Sequence, residues 1–334
     1  MPQSAPLATS VTPAESLVSP GDATRPGPSP LVPVLSRDLS AYPRRPDRLP
    51  GLVRLSAGVR ADAAAWRDAA PEWRHRTLLE AHRLLAPHEV LLGPSAAIVL
   101  GFPVVGLDLR QVVVLRHETG TARSTLVRRR RRSGLGEPIM REGVLVSTVP
   151  DTLVDLACWG GLVTGVCAMD AALHAGRCTR EELRVALTTA ARRRRGIVAA
   201  RTAVGLADGR SESPGESLSR VRMWQARLPR PELQHELRAA GSWRRLDFFW
   251  SDHGVVGEHD GVLKYLADEH GEDPAGVLWR EKLRQEGIQE ALGATVVRWG
   301  WSEAWSHHGA ALVRRLLRAG LPTLDEPWAL AETG

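Results

Sequence analysis

Apolar and polar residues follow different periods along the chain, and each period predicts an element. From Leu52, the stretch GLVRLSAGVR alternates about a glycine, as a short hairpin does. Trp66 to Leu85 has helical spacing, with Pro71 as an N-terminal break. Residues 86 to about 205 predict a mixed α/β unit. Its strands are Val112 to Leu115 and Val144 to Thr148. Its helices run from Asp151 to Ala157, after Pro150, and from Val163 to His174, stopping at Gly176. Thr179-Arg180-Glu181-Glu182 is a capping box for a further helix. Past Ser211 the order predicted is helix, strand, strand, helix, strand. Ser213-Pro214-Gly215-Glu216 opens a helix to about Arg227, and Arg244 to Trp250 and Val255 to Asp260 are strands. Trp279 to Leu292 is a helix closed by Gly293, and Thr295 to Trp299 is the last strand. Leu233 to Leu237, LQHEL, is also strand-like.

Two stretches lack such a pattern. Residues 1 to 35 are rich in Pro, Ser, Ala and Thr and have no aromatic residue, so they are expected to be a disordered tail. The most apolar window, Leu91 to Leu107, is broken by Pro94, Pro103 and several glycines, which predicts a buried core segment. The start has no basic region followed by an apolar run, and the expectation is a cytoplasmic protein with no membrane partner.

Charge narrows the partners. Lys plus Arg is 44 against 38 Asp plus Glu, a net charge of +6, which favours a polyanion such as DNA. Arg128 to Arg132 and Arg192 to Arg195 are either phosphate contacts or solvated ends of elements. Only Lys264 and Lys282 are lysines; they are either what drift has left under an arginine bias or places where a compact ammonium is needed. Cys158, Cys167 and Cys178 lack the spacing of a zinc site.

The segment RRLDFFWSDHGVVGEHDGVLKY, residues 244 to 265, carries the chemistry. A hairpin centred on Asp252 and His253 sets Asp247 opposite Glu258 and Arg245 opposite Asp260. Directly opposed like charges destabilise a sheet. Two carboxylates there, flanked by apolar Leu246, Phe248 and Val256, point to a divalent cation, since Mg²⁺ takes one or two carboxylates and keeps waters and phosphate oxygens as its other ligands. Ser213 and Glu216 also have the spacing of a capping box, with Pro214 at the first helical position. Turn or surface roles are expected for His235, His253, His259 and His270.

The order Glu216, Asp247, Glu258-x-Asp260-Gly261, Lys264 resembles the PD-(D/E)xK nuclease superfamily, in particular the branch related to the very-short-patch-repair endonuclease. REKLRQEGIQEALGATVVRWGW, residues 280 to 301, resembles that branch too. GPSAAIVLGFP (93–103), STVPDTLVDLA (147–157) and MDAALHAG (169–176) resemble the AbiEi-type antitoxins of type IV toxin–antitoxin systems. The first resemblance implies a three-layer α/β domain of a mixed sheet flanked by helices. It implies Asp247 and Glu258 as ligands of Mg²⁺, or Mn²⁺, Glu216 and Lys264 as further catalytic residues, and Gln234, Arg280, Lys282 and Arg284 as nucleic-acid contacts. The superfamily's usual lysine, two residues after the glutamate, is Asp260 here, so Lys264 is the candidate replacement.

The expected organisation is a tail at 1–35, a degenerate winged-helix-like remnant at 36–85, an antitoxin-like α/β domain at 86–210, a nuclease-like domain at 211–320 and a tail at 321–334. The function implied is a Mg²⁺-dependent endonuclease acting on DNA in defence or repair. The alternative is a non-catalytic DNA-binding antitoxin or regulator that keeps the nuclease fold as a scaffold and pairs with a cognate toxin.

Overall fold

The alternation after Leu52 builds a hairpin. Strands β2 (Leu52–Ser56) and β3 (Val59–Asp62) pair antiparallel around Gly58, whose φ of 84° suits a residue without Cβ, and β1 (Val34–Leu35) adds to β3. The computed structural model describes residues 33–35, 50–56, 58–116, 125–190, 194–239, 242–260 and 292–330. Asp62 caps α1 (Ala63–Asp68) by accepting the amide hydrogen of Ala65 at 2.8 Å. The chain then extends through Ala69 and restarts as α2 (Pro71–Leu85), with proline in its first turn, where a missing N–H costs nothing.

The α/β unit forms around two-stranded pieces. β4 (Val112–Leu115) and β5 (Val127–Arg130) are parallel, β6 (Ile139–Arg141) and β7 (Val144–Val146) antiparallel, and Leu91 bridges Val114 and Val146. The apolar window supplies α3 (Gly93–Leu100), every residue of which is buried. Beneath it, the imidazole of His75 bridges the Leu109 carbonyl (2.7 Å) and the Ser95 hydroxyl (2.9 Å), whose oxygen also accepts the Val113 amide hydrogen (2.8 Å). His75 and Ser95 are fully buried, so this serine–histidine pair ties α2 to α3 and β4 rather than meeting a substrate.

The two helices predicted from Asp151 and Val163 are the two halves of α4 (Val149–His174), separated at Gly161, whose φ of 86° and ψ of −169° are not helical. By length and composition α4 could cross a membrane. It packs instead against α3, α5 (Arg180–Thr189), α6 (Ile197–Leu206) and α7 (Pro214–Gln225), burying Leu153, Leu156, Val166 and Met169. Its acids Asp151, Asp155 and Asp170 are each ion-paired. It is a core helix.

After α7 come β8 (Glu232–Ala239), β9 (Ser242–Trp250), β10 (Val255–His259) and β11 (Thr295–Trp299), then α8 (Trp301–Trp305) and α9 (Ala310–Arg318). Three strands, not two, therefore follow α7, with β8 taking in the LQHEL stretch. The helix expected at Trp279 to Leu292 lies, but for Leu292, outside the described residues. The sheet order is β11-β10-β9-β8, parallel between β10 and β11 and antiparallel elsewhere. On one face Phe248, Trp250, Val255, Val297 and Trp299 pack against Leu218 and Met223 of α7 and Leu312 and Leu316 of α9. Phe249, Val256, Val296, Leu237 and Leu246 form the other apolar cluster.

A buried ion pair joins the two units. Arg220 of α7 donates from Nη2 to Asp170 of α4 at 2.5 Å, and the other Asp170 oxygen accepts the Asp208 amide hydrogen at 2.7 Å. Residues 321–330 return across α7: the Trp224 indole donates to the Trp328 carbonyl (3.2 Å), and the Leu324 amide to the Arg227 carbonyl (2.8 Å).

Candidate active site

The hairpin register is the one read from the sequence. Val255 pairs with Trp250, Val256 with Phe249 and Gly257 with Phe248 across a short 3₁₀ turn at Ser251–His253. The next step along this register sets Glu258 level with Asp247. Glu258 is level with Arg298 of β11, and Gln234 lies between the Leu233↔Phe248 and His235↔Leu246 pairs, level with Asp247. Gln234, Asp247, Glu258 and Arg298 thus form one row across all four strands.

The row lies where the sheet bends. Gln234 has φ of 54°, in the left-handed region that a non-glycine residue rarely occupies inside a strand. Side chains two apart on a regular strand share a face. Yet Leu233 joins the cluster on α7, while His235 stacks on Phe249 at 4.6 Å. On β9 Phe248 and Leu246 likewise belong to different clusters. Both strands therefore rotate at Gln234 and Asp247. The pairing of β9 with β10 runs to Gly257 and Phe248, and beyond it the Asp247 carboxylate accepts the His259 amide hydrogen at 2.8 Å. Local disruptions of a ladder that re-aim a side chain are common beside active sites.

Glu216 reaches the same row from α7. One of its oxygens accepts the Ser213 hydroxyl at 2.7 Å, and the other accepts the Glu212 amide (3.0 Å) and the Gln234 side-chain amide (2.8 Å). Its own amide donates to Ser213 Oγ at 3.2 Å. Glu216 is thus a capping residue that is also tied to Gln234 of the row, and burial raises its pKa above the usual carboxylate range. Glu258 is buried, and Arg298 donates to one of its oxygens from Nε (3.0 Å) and is ion-paired to it through Nη2 (2.9 Å).

Two expectations change. Arg245 forms an ion pair with Glu212 at 2.5 Å, and its partner in the β8–β9 register is Glu236, because the rotation at Asp247 turns this end of β9 from β10 towards the start of α7. His259 is not a surface histidine. Its ring lies against Gly215, where an added Cβ would stand 2.1 Å from the imidazole, and its Nε2 is buried with no hydrogen-bond partner among the described residues. Burial lowers its pKa to about 4, so it is neutral at pH 7. The alternation of β10 could have placed His259 on the α7 side, but its polarity hid this. Arg298 was missed because an arginine in a basic chain carries no signal of its own. Lys264, Arg280, Lys282 and Arg284 lie outside the described residues.

The acids present suit a hard divalent cation: Asp247 and Glu258 offer carboxylate oxygens from neighbouring strands, and Mg²⁺ needs only one or two such ligands. Among the described residues no three His, Cys, Asp or Glu side chains gather into a metal-holding group.

Two proteins of Mycobacterium tuberculosis, the uncharacterized proteins MT2308 and Rv2248, from two strains, are each 34% identical to this chain over 219 residues, which is 64% of this chain and 77% of theirs. No family model matches the chain, and no solved structure matches it.

Proposed function

The chain belongs to the same family as these two mycobacterial proteins, and we propose that its C-terminal unit is a restriction-endonuclease-like domain that hydrolyses phosphodiester bonds in DNA with Mg²⁺ or Mn²⁺. The observation that carries this reading is the polar row at the bend of the sheet, with Asp247 and Glu258 level on adjacent strands and Glu216 tied to the row through Gln234. The order of α7, three antiparallel strands and a last strand parallel to β10 supports the same reading, because it is a mixed sheet with a helix on one face.

Asp247 and Glu258 would hold the metal. When bound, it polarises the scissile phosphate and lowers the pKa of an attacking water. The chain's own residues supply the setting. Gln234 fixes the Glu216 carboxylate, the His259 amide orients Asp247, and Arg298 balances the charge of Glu258. Lys264, four residues beyond Asp260, is the proposed source of the ammonium that the superfamily carries two residues after its glutamate. Lys264→Ala should lower cleavage about 10²-fold or more, the effect of losing a positioned electrostatic or acid–base group, and Lys264→Arg should not restore it. Wild-type cleavage by Lys264→Ala would make Lys264 a surface residue.

One observation favours the second reading, a non-catalytic DNA-binding regulator or antitoxin acting with a cognate toxin. Arg298 is ion-paired to Glu258 and competes with a cation for that carboxylate. Calorimetric titration with Mn²⁺ separates the two. The nuclease reading expects saturable binding in the wild type that Asp247→Asn abolishes while the fold, checked by circular dichroism, is kept. Absence of Mn²⁺ binding in the wild type moves the assignment to the regulator.

A further inference from the structure

The two arginine runs, far apart in sequence, meet in space. Arg128 to Arg130 end β5, and Arg194 precedes α6. The guanidinium of Arg130 lies 5.1 Å from the centroid of the Trp159 ring and that of Arg194 lies 5.4 Å from it, so one indole of α4 orients both. Arg132 is spent on structure. It donates to Asp155 at 2.8 Å and to Asp151 at 3.0 Å, and all three side chains are buried.

The charges here do not balance. Arg194 Nη1 lies 2.7 Å from the same Asp155 oxygen that Arg132 uses. Among the described residues, the charged groups that bear most on Arg130 are Arg128, Arg194, Arg195 and Asp155, and that carboxylate also serves Arg132 and Arg194. Burial, with these cations, pulls the Arg130 pKa below its ordinary value. Arg194 Nη2 and Arg130 Nε are buried and have no hydrogen-bond partner among the described residues. A buried guanidinium N–H without a partner loses its hydration and gains nothing in return, so the arrangement is incomplete as it stands. What completes it is an anion with several acceptor oxygens, the geometry that a guanidinium fork matches.

We infer that Arg128, Arg130, Arg194 and Arg195, set on Trp159, form a phosphate-binding site whose occupant is the backbone of a nucleic acid. Arg128 and Arg195 are exposed and extend the site onto the surface, where a polymer can reach it. The site uses none of the residues of the acidic row and does not require that row to hold a metal.

The test is equilibrium binding of a short duplex DNA, followed by fluorescence anisotropy over a series of salt concentrations in EDTA, so that cleavage plays no part. Two double variants are compared with the wild type. Arg130→Gln with Arg194→Gln removes the oriented pair. Arg128→Gln with Arg195→Gln removes only exposed groups and guards against loss of the fold, which circular dichroism checks. Each double variant should bind about tenfold more weakly, with the slope of log affinity against log salt shallower by about 2, the loss of two phosphate contacts. A parallel calorimetric titration with inorganic phosphate identifies the source. Phosphate binding lost in both variants, with duplex binding unchanged, keeps the site and assigns it to a small phosphate. Duplex and phosphate binding both unchanged in folded variants overturns the inference. A protein with that result that still cleaves DNA leaves the acidic row standing, and one that binds through these arginines but takes no Mn²⁺ shows the reverse.

Discussion

At the scale of single residues, His259 gives the sharpest consequence. A histidine whose folded pKa lies near 4, against an unfolded value near 6.5, contributes stability that is fully present above pH 6.5 and is lost as pH falls towards 4. His75, also held near 4 by burial, has the same sign. Each shift corresponds to about 3 kcal/mol at its limit. Glu216, whose pKa is raised, acts the other way and favours the fold as pH falls. Urea unfolding at pH 7 and pH 5 should show a clear loss in the wild type and a smaller loss in His259→Asn; equal losses would place His259 in water. The close seat of that ring makes a second prediction. Gly215→Ala should cost about 1–3 kcal/mol, the usual cost of overpacking, and His259→Ser should relieve most of it in the double variant. Additive effects in that cycle would mean that the two positions do not touch. Asp247 and Glu258 were legible in the sequence because strand alternation and a short turn fix which residues stand level. The bend at Gln234 was not legible: a left-handed glutamine is set by the packing of Leu233 and His235 on different faces, and that packing depends on segments far away in the chain.

At the scale of elements, the joint between α4 and α7 sets where the acidic row sits relative to the α/β unit. Asp170 and Arg220 are both buried, and neither has water to replace its partner. Arg220→Met alone should therefore destabilise the protein by about 3–5 kcal/mol, because it strands a buried carboxylate, and adding Asp170→Leu should restore most of the loss. Chemical denaturation measures both, and a single variant as stable as the wild type would remove the pair from the joint. Strands and caps were the elements most open to sequence reasoning. The capping box at Thr179 is present as read, with the Glu182 carboxylate accepting the Thr179 amide hydrogen at 2.7 Å. The interruption of α4 was open to it as well: a helix ending near Ala157 and another starting at Val163 leave Gly161 between them, and its backbone there is not helical. β8 was read as strand-like but not counted, since LQHEL interrupts its alternation at the bend.

At the scale of the whole molecule, an α/β architecture was legible from the changing periods along the chain. The close packing of its two units was not, because Asp170 and Arg220 are ordinary charged residues until the fold brings them together. The result is a chain with an acidic row at the bend of one sheet and an arginine cluster on the other unit. A protein that holds a polyanion and hydrolyses it needs both kinds of site. The proposed action of the row on phosphodiester bonds is measured most directly as conversion of supercoiled plasmid to nicked or linear forms with Mg²⁺ and with Mn²⁺, comparing the wild type with Asp247→Ala. Metal-dependent conversion by the wild type is expected, absent with EDTA and lowered about 10²-fold or more in Asp247→Ala. No conversion by the folded wild type with either metal, or equal conversion by Asp247→Ala, would contradict it.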